Sequence, residues 1–535
     1  MPNDIVTYKN SGHFIPLIVD YLDQKSNLKP LYNRFPTLEN FNPKASGQIE
    51  EKGRNFPIEN RKILADSLTK QYSNFDVSEI TSNNIALLKQ NNTFTITTGH
   101  QLNLFTGPLY FIYKIITVIN LTKELKKAYP EYNFVPIYWM ATEDHDFEEI
   151  NHFHFKGKKI EWNKESNGPV GRLNTDGLEE VFEQFSKELG PGNNANYLRE
   201  LFKKSYLEHD NLADATRYLA NEFFKNEGLV IVDGDDLELK KLFIPYVKEE
   251  LINQTSFKKV KETLSTIKEY NIQVNPREIN LFYIQDNLRE RIIFENGNYK
   301  INNTSLVFSE SEIITELEKN PKNFSPNVIL RPLYQEVILP NLCYIGGGGE
   351  IAYWLELKSM FEVNNISFPI LLVRNSVVLT TEKQNSKLNK LEVNWNELFQ
   401  SKNIIIEKKT KEFSQFNIDF SEQKEILEKQ FRLLNEIATK TDKSFIGAVK
   451  AQEIKQIKGL NNLEKRLLKA EKKIHSEKMN RILLIKNELF PNDILQERVM
   501  NFSEFYDKID TYNSLFDKLL HNLEPLKQHF TIVMV

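Results

Sequence analysis

The 535-residue sequence predicts an α/β protein built on a parallel sheet. Three observations carry that expectation. Short, nearly all-apolar runs recur along the chain as far as Val373, helix-length stretches separate them, and polar side chains crowd the residues just beyond several of them. Strands covered by helices on both faces read as continuous apolar runs rather than as alternating ones. Open parallel sheets bind ligands beyond the carboxyl ends of their strands, so the polar clusters at those ends are the first candidates for a site.

Taken in order, residues 1–92 are mostly polar, with helix-like patterning around Ile63–Tyr72 and Ile80–Lys89. The β-branched run Thr93–Thr98 follows and stops at Gly99. The apolar segment opened by Pro108, LYFIYKIITVINLTKELKK, is long enough for a helix, and proline suits a first turn. Asn133–Ala141, Gly228–Val232, Val328–Leu330, Leu342–Ile345 and Pro369–Val373 are the further strand candidates. The more polar stretches at about 155–225 and 240–325 read as insertions in a core spanning 1–380. From 381 to 495 the texture becomes that of an α-helical arm. Glycine appears there only at Gly447 and Gly459, and Ile454, Ile457, Leu460, Leu463, Leu467, Ala470 and Ile474 recur at three- and four-residue steps. Residues 496–535 then return to the core, with His529–Val535 expected as a strand joining the main sheet.

Composition narrows the function. Sixty-nine basic against 73 acidic side chains give a net charge of −4, which removes a whole-protein electrostatic case for nucleic acid. The balance is uneven: eleven Lys/Arg against five Glu make Ala448–Phe490 +6, so the remainder is −10. A solvated coiled-coil face explains such charges, and a nucleotide- or partner-binding face is the alternative. The single cysteine, Cys343, excludes internal disulfides and thiolate zinc clusters. No apolar run reaches the ~18 residues of a membrane span, and the first ten residues carry no signal-peptide pattern. The expectation is a cytoplasmic protein without membrane or nucleic-acid partners.

Four clusters could carry chemistry. Gly99-His100-Gln101, with Asn103 and Gly107, joins a strand end to a helix start, where unpaired N–H groups suit a phosphate or carboxylate. His100 could donate to that anion or shuttle a proton. Glu143-Asp144-His145-Asp146, with Glu148 and Glu149, is a dense acidic patch that could hold an amine, orient a base or coordinate a hard metal. Its spacing matches no established zinc pattern, so no metal is expected, and His152 and His154, alternating with phenylalanines, read as structural. Asp233 and Asp236, after the GLVIV run, could accept from ribose hydroxyls or an amine, or simply cap a helix. The longest block runs from Ser325 to Trp354. Its Arg331 sits in apolar sequence and needs an anionic partner, either substrate or Glu336. Gly346, Gly347, Gly348 and Gly349 let backbone approach a ligand, with Glu350 and Tyr353 beside them, but no P-loop lysine follows. Cys343 reads as core packing rather than as a nucleophile.

TTGHQLNLFTGPLYFIYKII, ATEDHDFEEI and SPNVILRPLYQEVILPNLCYIGGGGEIAYW, with the late LFPNDILQERVMN (Leu489–Asn501), resemble the bacillithiol-biosynthesis cysteine ligase family. The likeness runs from about residue 60 to the C-terminus. It implies a Rossmann-like core resembling class I nucleotidyltransferases with inserted connecting subdomains, and a coiled-coil arm that pairs two subunits as a homodimer. It further implies addition of cysteine to glucosaminyl-malate by amide formation, with ATP as the natural activator. Gly348 departs from the family's pattern, which places a proline within the glycine run. On this reading His100, Gln101 and Asn103 serve the activated group, with Gly99 and Gly107 beside them as substrate-binding positions. Asp144, His145 and Asp146 receive an amino group, and Arg331 with the Gly346–Glu350 loop and Tyr353 holds an anionic part of the substrate. A nucleotidyltransferase-like enzyme for another small molecule, or a coiled-coil scaffold, remains the alternative.

Overall fold

The computed structural model describes residues 5–44, 46–506 and 514–535, with only the backbone of Ser514. The chain divides into two compact units: a core unit formed chiefly by residues 13–379 and 496–535, and a helical unit formed chiefly by residues 380–495.

The core unit is organised by a five-stranded sheet of β1 (Thr93–His100), β2 (Asn133–Met140), β3 (Val230–Asp233), β4 (Asn341–Gly346) and β5 (Ile370–Val373). Their order is β5-β4-β1-β2-β3, and every neighbouring pair is parallel. The chain therefore leaves β1 in one direction and returns to its other side at β4, which puts the topological switch point between those two strands. Both faces of β1 are buried throughout, which is why its sequence shows no alternation. Its threonines are satisfied internally: Thr95 and Thr97 donate to Asn341 Oδ1 at 3.3 and 2.9 Å, and Thr98 donates to the Ile345 carbonyl at 2.7 Å. Phe94, Ile96, Leu342, Cys343, Ile345 and Ile370 form the apolar layer on the sheet, with α1 (Tyr110–Ala128) packed against it through Val118, Leu121 and Leu125. Cys343 is wholly buried there, and desolvation pushes its thiol well above the ordinary range.

Register makes the strand ends coincide. His100 lies opposite Met140, Met140 opposite Asp233, Ile345 opposite Thr98, and Gly346 opposite Val373. The loops after β1, β2 and β4 thus leave the sheet at one edge. Between β2 and β3 stand a hairpin, His152–Phe155 with Lys158–Glu161, and three helices, Leu178–Glu188, Asn193–Tyr206 and Leu212–Phe224. In that hairpin Phe153 and Phe155 are buried and the alternating histidines partly exposed. Between β3 and β4 stands a second, antiparallel sheet, ordered from Val307–Phe308 through Asn298–Ile301, Leu288–Glu295 and Leu281–Gln285 to Phe324–Pro326.

Two expected strands differ. Val328–Leu330 is a turn that starts α2 (Leu330–Ile338), because the Asn327 side chain accepts from the Ile329 and Leu330 N–H groups at 2.9 and 3.3 Å and caps the helix. Its apolar residues continue the helical face of Leu333, Tyr334 and Val337. The C-terminal strand forms at His529–Met534 but joins a small separate sheet beside Ser376–Thr380, not the parallel sheet. After β4 the glycine run opens α3 (Gly348–Leu355). Gly348 is the first helical residue, the position at which a proline is best tolerated.

The helical unit contains α4 (Ser421–Ala438), α5 (Lys443–Ile474) and α6 (Ser476–Leu489). Helices α4 and α5 form a hairpin around Phe431, Ala438 and Val449, flanked by Leu427 and Ile446. The expected seam of α5 is only partly covered: Ile457, Leu460 and Leu467 are half-buried, whereas Ile454, Leu463 and Ile474 are exposed by 69, 54 and 71%.

Under the sheet, the buried Lys52 ammonium lies 3.1 Å from Glu336, whose carboxylate also accepts from Gln335 and Asn341. Burial pushes the Glu336 carboxyl up, and Lys52 pulls it back. Arg331 therefore does not use Glu336 as its partner. Lys52→Met leaves a buried carboxylate unpaired and is expected to destabilise the core unit by about 3–5 kcal/mol, read as a lower urea midpoint.

Candidate functional site

The loops after β1, β2 and β4 enclose a cleft of about 710 Å³ at the carboxyl edge of the sheet, and the antiparallel sheet supplies its opposite wall through Phe282, Arg289 and Arg291. It stands at the switch point, where the topology alone places ligands.

Gly99, His100 and Gln101 line it from the β1 side. His100 is 8% exposed, packs against the Tyr110 and Phe111 rings at 5.3 and 5.0 Å, and leaves Nε2 without a hydrogen-bond partner. Burial, reinforced by the Lys114 and Arg374 cations, holds its pKa well below 6.5. The side chain is thus a neutral imidazole that can exchange a hydrogen bond with a ligand. It does not carry the imidazolium proton that a proton-donor role at neutral pH would use. Gln101 Nε2 donates to Asp144 at 3.0 Å and Glu149 at 3.1 Å, joining the β1 and β2 loops.

Asn103 and Gly107 lie outside this cleft and line a small neighbouring pocket of about 150 Å³. Their role is to shape the turn. Gly107 has φ +60°, a side chain there would meet Asn103 at 2.7 Å, and Asn501 donates to the Phe105 and Gly107 carbonyls at 2.8 and 2.6 Å. Asn501 and Glu497 give the late LFPNDILQERVMN motif its physical purpose. Glu497 accepts from Nη2 and Nη1 of Arg374, at 2.8 and 3.1 Å.

The residue that joins the two halves of the cleft is Lys114 on α1. Its side chain is 4% exposed, and Nζ lies 2.8 Å from the Gly99 carbonyl and 2.6 Å from Glu350 Oε2. Glu350 accepts in addition from the Tyr344 hydroxyl at 3.0 Å and the Gly347 N–H at 2.8 Å. Burial alone would raise the Glu350 carboxyl, but Lys114 and these donors hold it below its ordinary value. Glu350 therefore occupies the start of α3 itself, and the anion-holding duty expected of the glycine loop falls to the cations around it. Gly347 and Gly349 line the cleft, whereas Gly346 ends β4 and gives its carbonyl to the Arg374 N–H at 2.9 Å.

In the β2 loop, Asp144, His145 and Asp146 all face the cleft. Burial favours the neutral acid at Asp144, but hydrogen bonds from the His145 backbone N–H and the Gln101 amide and the nearby Arg289 guanidinium hold it well below the ordinary carboxylate range. Asp144, His145 and Asp146 could place ligand atoms within 4.8 Å of one another, but a cation, Arg289 Nη1, already stands 2.5 Å from His145 Nδ1. Glu143 is paired with the buried Lys240. Asp233 and Asp236 lie outside the cleft. Asp233 accepts from Thr142, with burial and Asp235 raising its carboxyl to about 6, and Asp236 caps the helix Leu237–Asn253 through the Glu238 and Leu239 N–H groups.

Arg331 lies among the rings of Trp139, Tyr344 and Trp354, about 6 Å from each, and donates to Gln335 at 3.1 Å and to the Tyr353 hydroxyl at 3.4 Å. Among the described residues, Arg277, Arg291, Arg331 and Arg498 line the cleft without an ion pair to any carboxylate. Spare guanidinia and an anionic aspartate line the same cleft, which therefore offers groups for an anion and for an amine. Sequence reading missed Lys114, Arg277, Arg289, Arg291, Arg374 and Arg498. A signal existed for Lys114, a lone cation in the apolar run Ile112–Ile116; the arginines of the polar insertion gave none.

A doubly wound Rossmann-like core with a charged cleft at its switch point defines a small-molecule enzyme class rather than a scaffold. Residues 1–375 match the bacillithiol biosynthesis BshC N-terminal Rossmann-like domain, and residues 377–535 match the BshC C-terminal coiled-coil domain. A protein of Flavobacterium psychrophilum described as a cysteine ligase, BshC, is 63% identical over 100% of this chain and 99% of its own length. That of Flavobacterium johnsoniae is 62% identical over the full length of both, and that of Bacillus anthracis is 28% identical over 91% of this chain and 92% of its own length. The chain belongs to the BshC family.

The neutral His100 makes stability depend on pH. Its folded pKa is below the unfolded 6.5, so its stabilisation is complete above 6.5 and is lost as pH falls. The urea midpoint of the unsubstituted protein is therefore expected to fall between pH 7.5 and pH 5.5. Urea unfolding of His100→Gln at pH 7.5 and 5.5 should show a correspondingly smaller loss than the unsubstituted protein.

Proposed function

We propose that this chain is a cysteine ligase of bacillithiol biosynthesis that joins L-cysteine to glucosaminyl-malate through an amide. The observation that carries the reading is the mixed charge lining the cleft. Four unpaired guanidinia suit the two carboxylates of the malate moiety, and Asp144, held anionic, suits an ammonium group. With the malate carboxylates engaged as anchors, the glucosamine amine is the free nucleophile and the cysteine carboxyl the group to be activated. The amine nitrogen attacks that carbonyl carbon, the nitrogen–carbon bond forms as the nitrogen gives up a proton to solvent, and the activating group departs with the carbon–oxygen electron pair. ATP is the activator by chemical class, and the neutral His100 with its free Nε2 stands where the developing oxyanion can be held. No metal is needed among these roles. The reaction is placed in the cytoplasm, where cysteine and ATP are at hand; no helix of the described residues is long and apolar enough to cross a membrane.

Pairing of two chains through the arm is part of the same proposal, since the exposed part of the α5 seam matches what a second copy would cover. Light scattering should show a dimer that becomes a monomer when residues 421–474 are removed; a dimer that survives removal contradicts this.

The test of the activity is mass spectrometry of reactions holding cysteine, glucosaminyl-malate and ATP. Formation of the cysteinyl product is expected, with Arg331→Met lowering kcat/KM at least tenfold through KM. A folded protein that forms no product under any nucleotide condition contradicts the ligase reading. Product only with a different acceptor would favour a nucleotidyltransferase-like enzyme for another small molecule.

A further inference from the structure

Arg289 enters the cleft from the hairpin of Leu281–Gln285 and Leu288–Glu295, remote in sequence from the loop it meets at His145. Its side chain is 8% exposed, its guanidinium stacks 3.8 Å from the centre of the Phe282 ring, and Nη1 lies 2.5 Å from Nδ1 of His145. A guanidinium has five N–H groups and no lone pair, so in this contact Arg289 donates and Nδ1 accepts. The other charged groups facing the imidazole are Asp144 and Asp146, whose Oδ1 atoms are 3.5 and 3.7 Å from Nδ1, too far to compete as hydrogen-bond partners. Asp144 is engaged instead by the Gln101 amide and the His145 backbone N–H, at 3.0 and 2.8 Å.

A neutral imidazole carries one ring proton. With Nδ1 accepting, that proton is on Nε2. We infer that Arg289 is a positioning residue that fixes His145 as the Nε2–H tautomer, making it a hydrogen-bond donor to an anionic oxygen of the substrate rather than a base. The usual carboxylate–histidine pair has the opposite sense: the carboxylate takes Nδ1–H and leaves Nε2 free to receive a proton. Here the lone pair is spent on arginine. The amine-receiving duty therefore divides, with Asp144 and Asp146 accepting from an ammonium and His145 donating beside them. Only the identity of the oxygen's owner rests on the proposed ligase function.

The full-length chain labelled with ¹⁵N-histidine, studied above the pH at which imidazoles titrate, reports each ring's tautomer through two-bond nitrogen–proton correlations, and His145→Gln assigns the signal by removing it. A protonated Nε2 and bare Nδ1 are expected in the unsubstituted protein, with Arg289→Met shifting the ring towards a mixture. A bare Nε2 with protonated Nδ1 in the unsubstituted protein overturns the inference, whether or not the Arg289 variant folds. Calorimetry with glucosaminyl-malate adds a functional reading. A glutamine side-chain amide places an N–H where Nε2–H stood, so His145→Gln should retain affinity within about threefold while His145→Ala loses at least tenfold. Equal loss in both overturns the donor role. A chain that shows the Nε2–H tautomer but binds no glucosaminyl-malate contradicts the ligase reading and leaves the tautomer assignment standing.

Discussion

A single buried ammonium holds the site together. Lys114 sits near the start of an apolar helix, where an unpaired charge would be excluded, and meets that cost with one carbonyl from the end of β1 and one carboxylate from the start of α3. Because β1 and β4 are the strands on either side of the switch point, this one group sets the spacing between the two loops that a ligand must bridge. Its charge also helps to keep His100 neutral, and its pairing with Glu350 removes from the glycine loop the anion that the helix start would otherwise seek.

The remaining charges arrange themselves around that pair. Arg374 is committed to Glu497, Arg289 to His145, and Glu143 to Lys240, so each of these cations and carboxylates stiffens the walls. What is left uncommitted is one-sided: guanidinia against a few carboxylates of the β2 loop. A cleft of that kind recognises a ligand carrying several negative charges and one positive one, whatever bond is then made. Fold and charge pattern thus agree with the proposed substrate, which carries the two carboxylates of a malate moiety.

Much of this was legible in the sequence, and the parts that were not have physical reasons. The parallel strands were readable because burial on both faces leaves an unbroken apolar run, as in Thr93–Thr98 and Pro369–Val373. The loops carrying His100, Asp144 and Glu350 were readable because polar residues following such runs fall at strand ends. Val328–Leu330 was misread because three apolar residues fit a strand and a helix start equally well, and only the Asn327 cap decides between them. Asp233 and Asp236 were misplaced because a cap and a ligand-binding carboxylate have the same local signature. Arg289 and Arg291 could not be seen: they reach the cleft by the folding of an antiparallel sheet whose sequence looks like ordinary polar surface. Gly107 meets a geometric need of its own, since its φ of +60° favours glycine, and Asn103 packs against it.

The most direct measurement of the central claim, that Lys114 builds the substrate site by tying the two strand-end loops, is calorimetry of glucosaminyl-malate with the unsubstituted protein and with Lys114→Met. At least a tenfold loss of affinity is expected in the variant, with helix content retained and partial recovery in Lys114→Arg. Unchanged affinity in a folded Lys114→Met protein would contradict the claim.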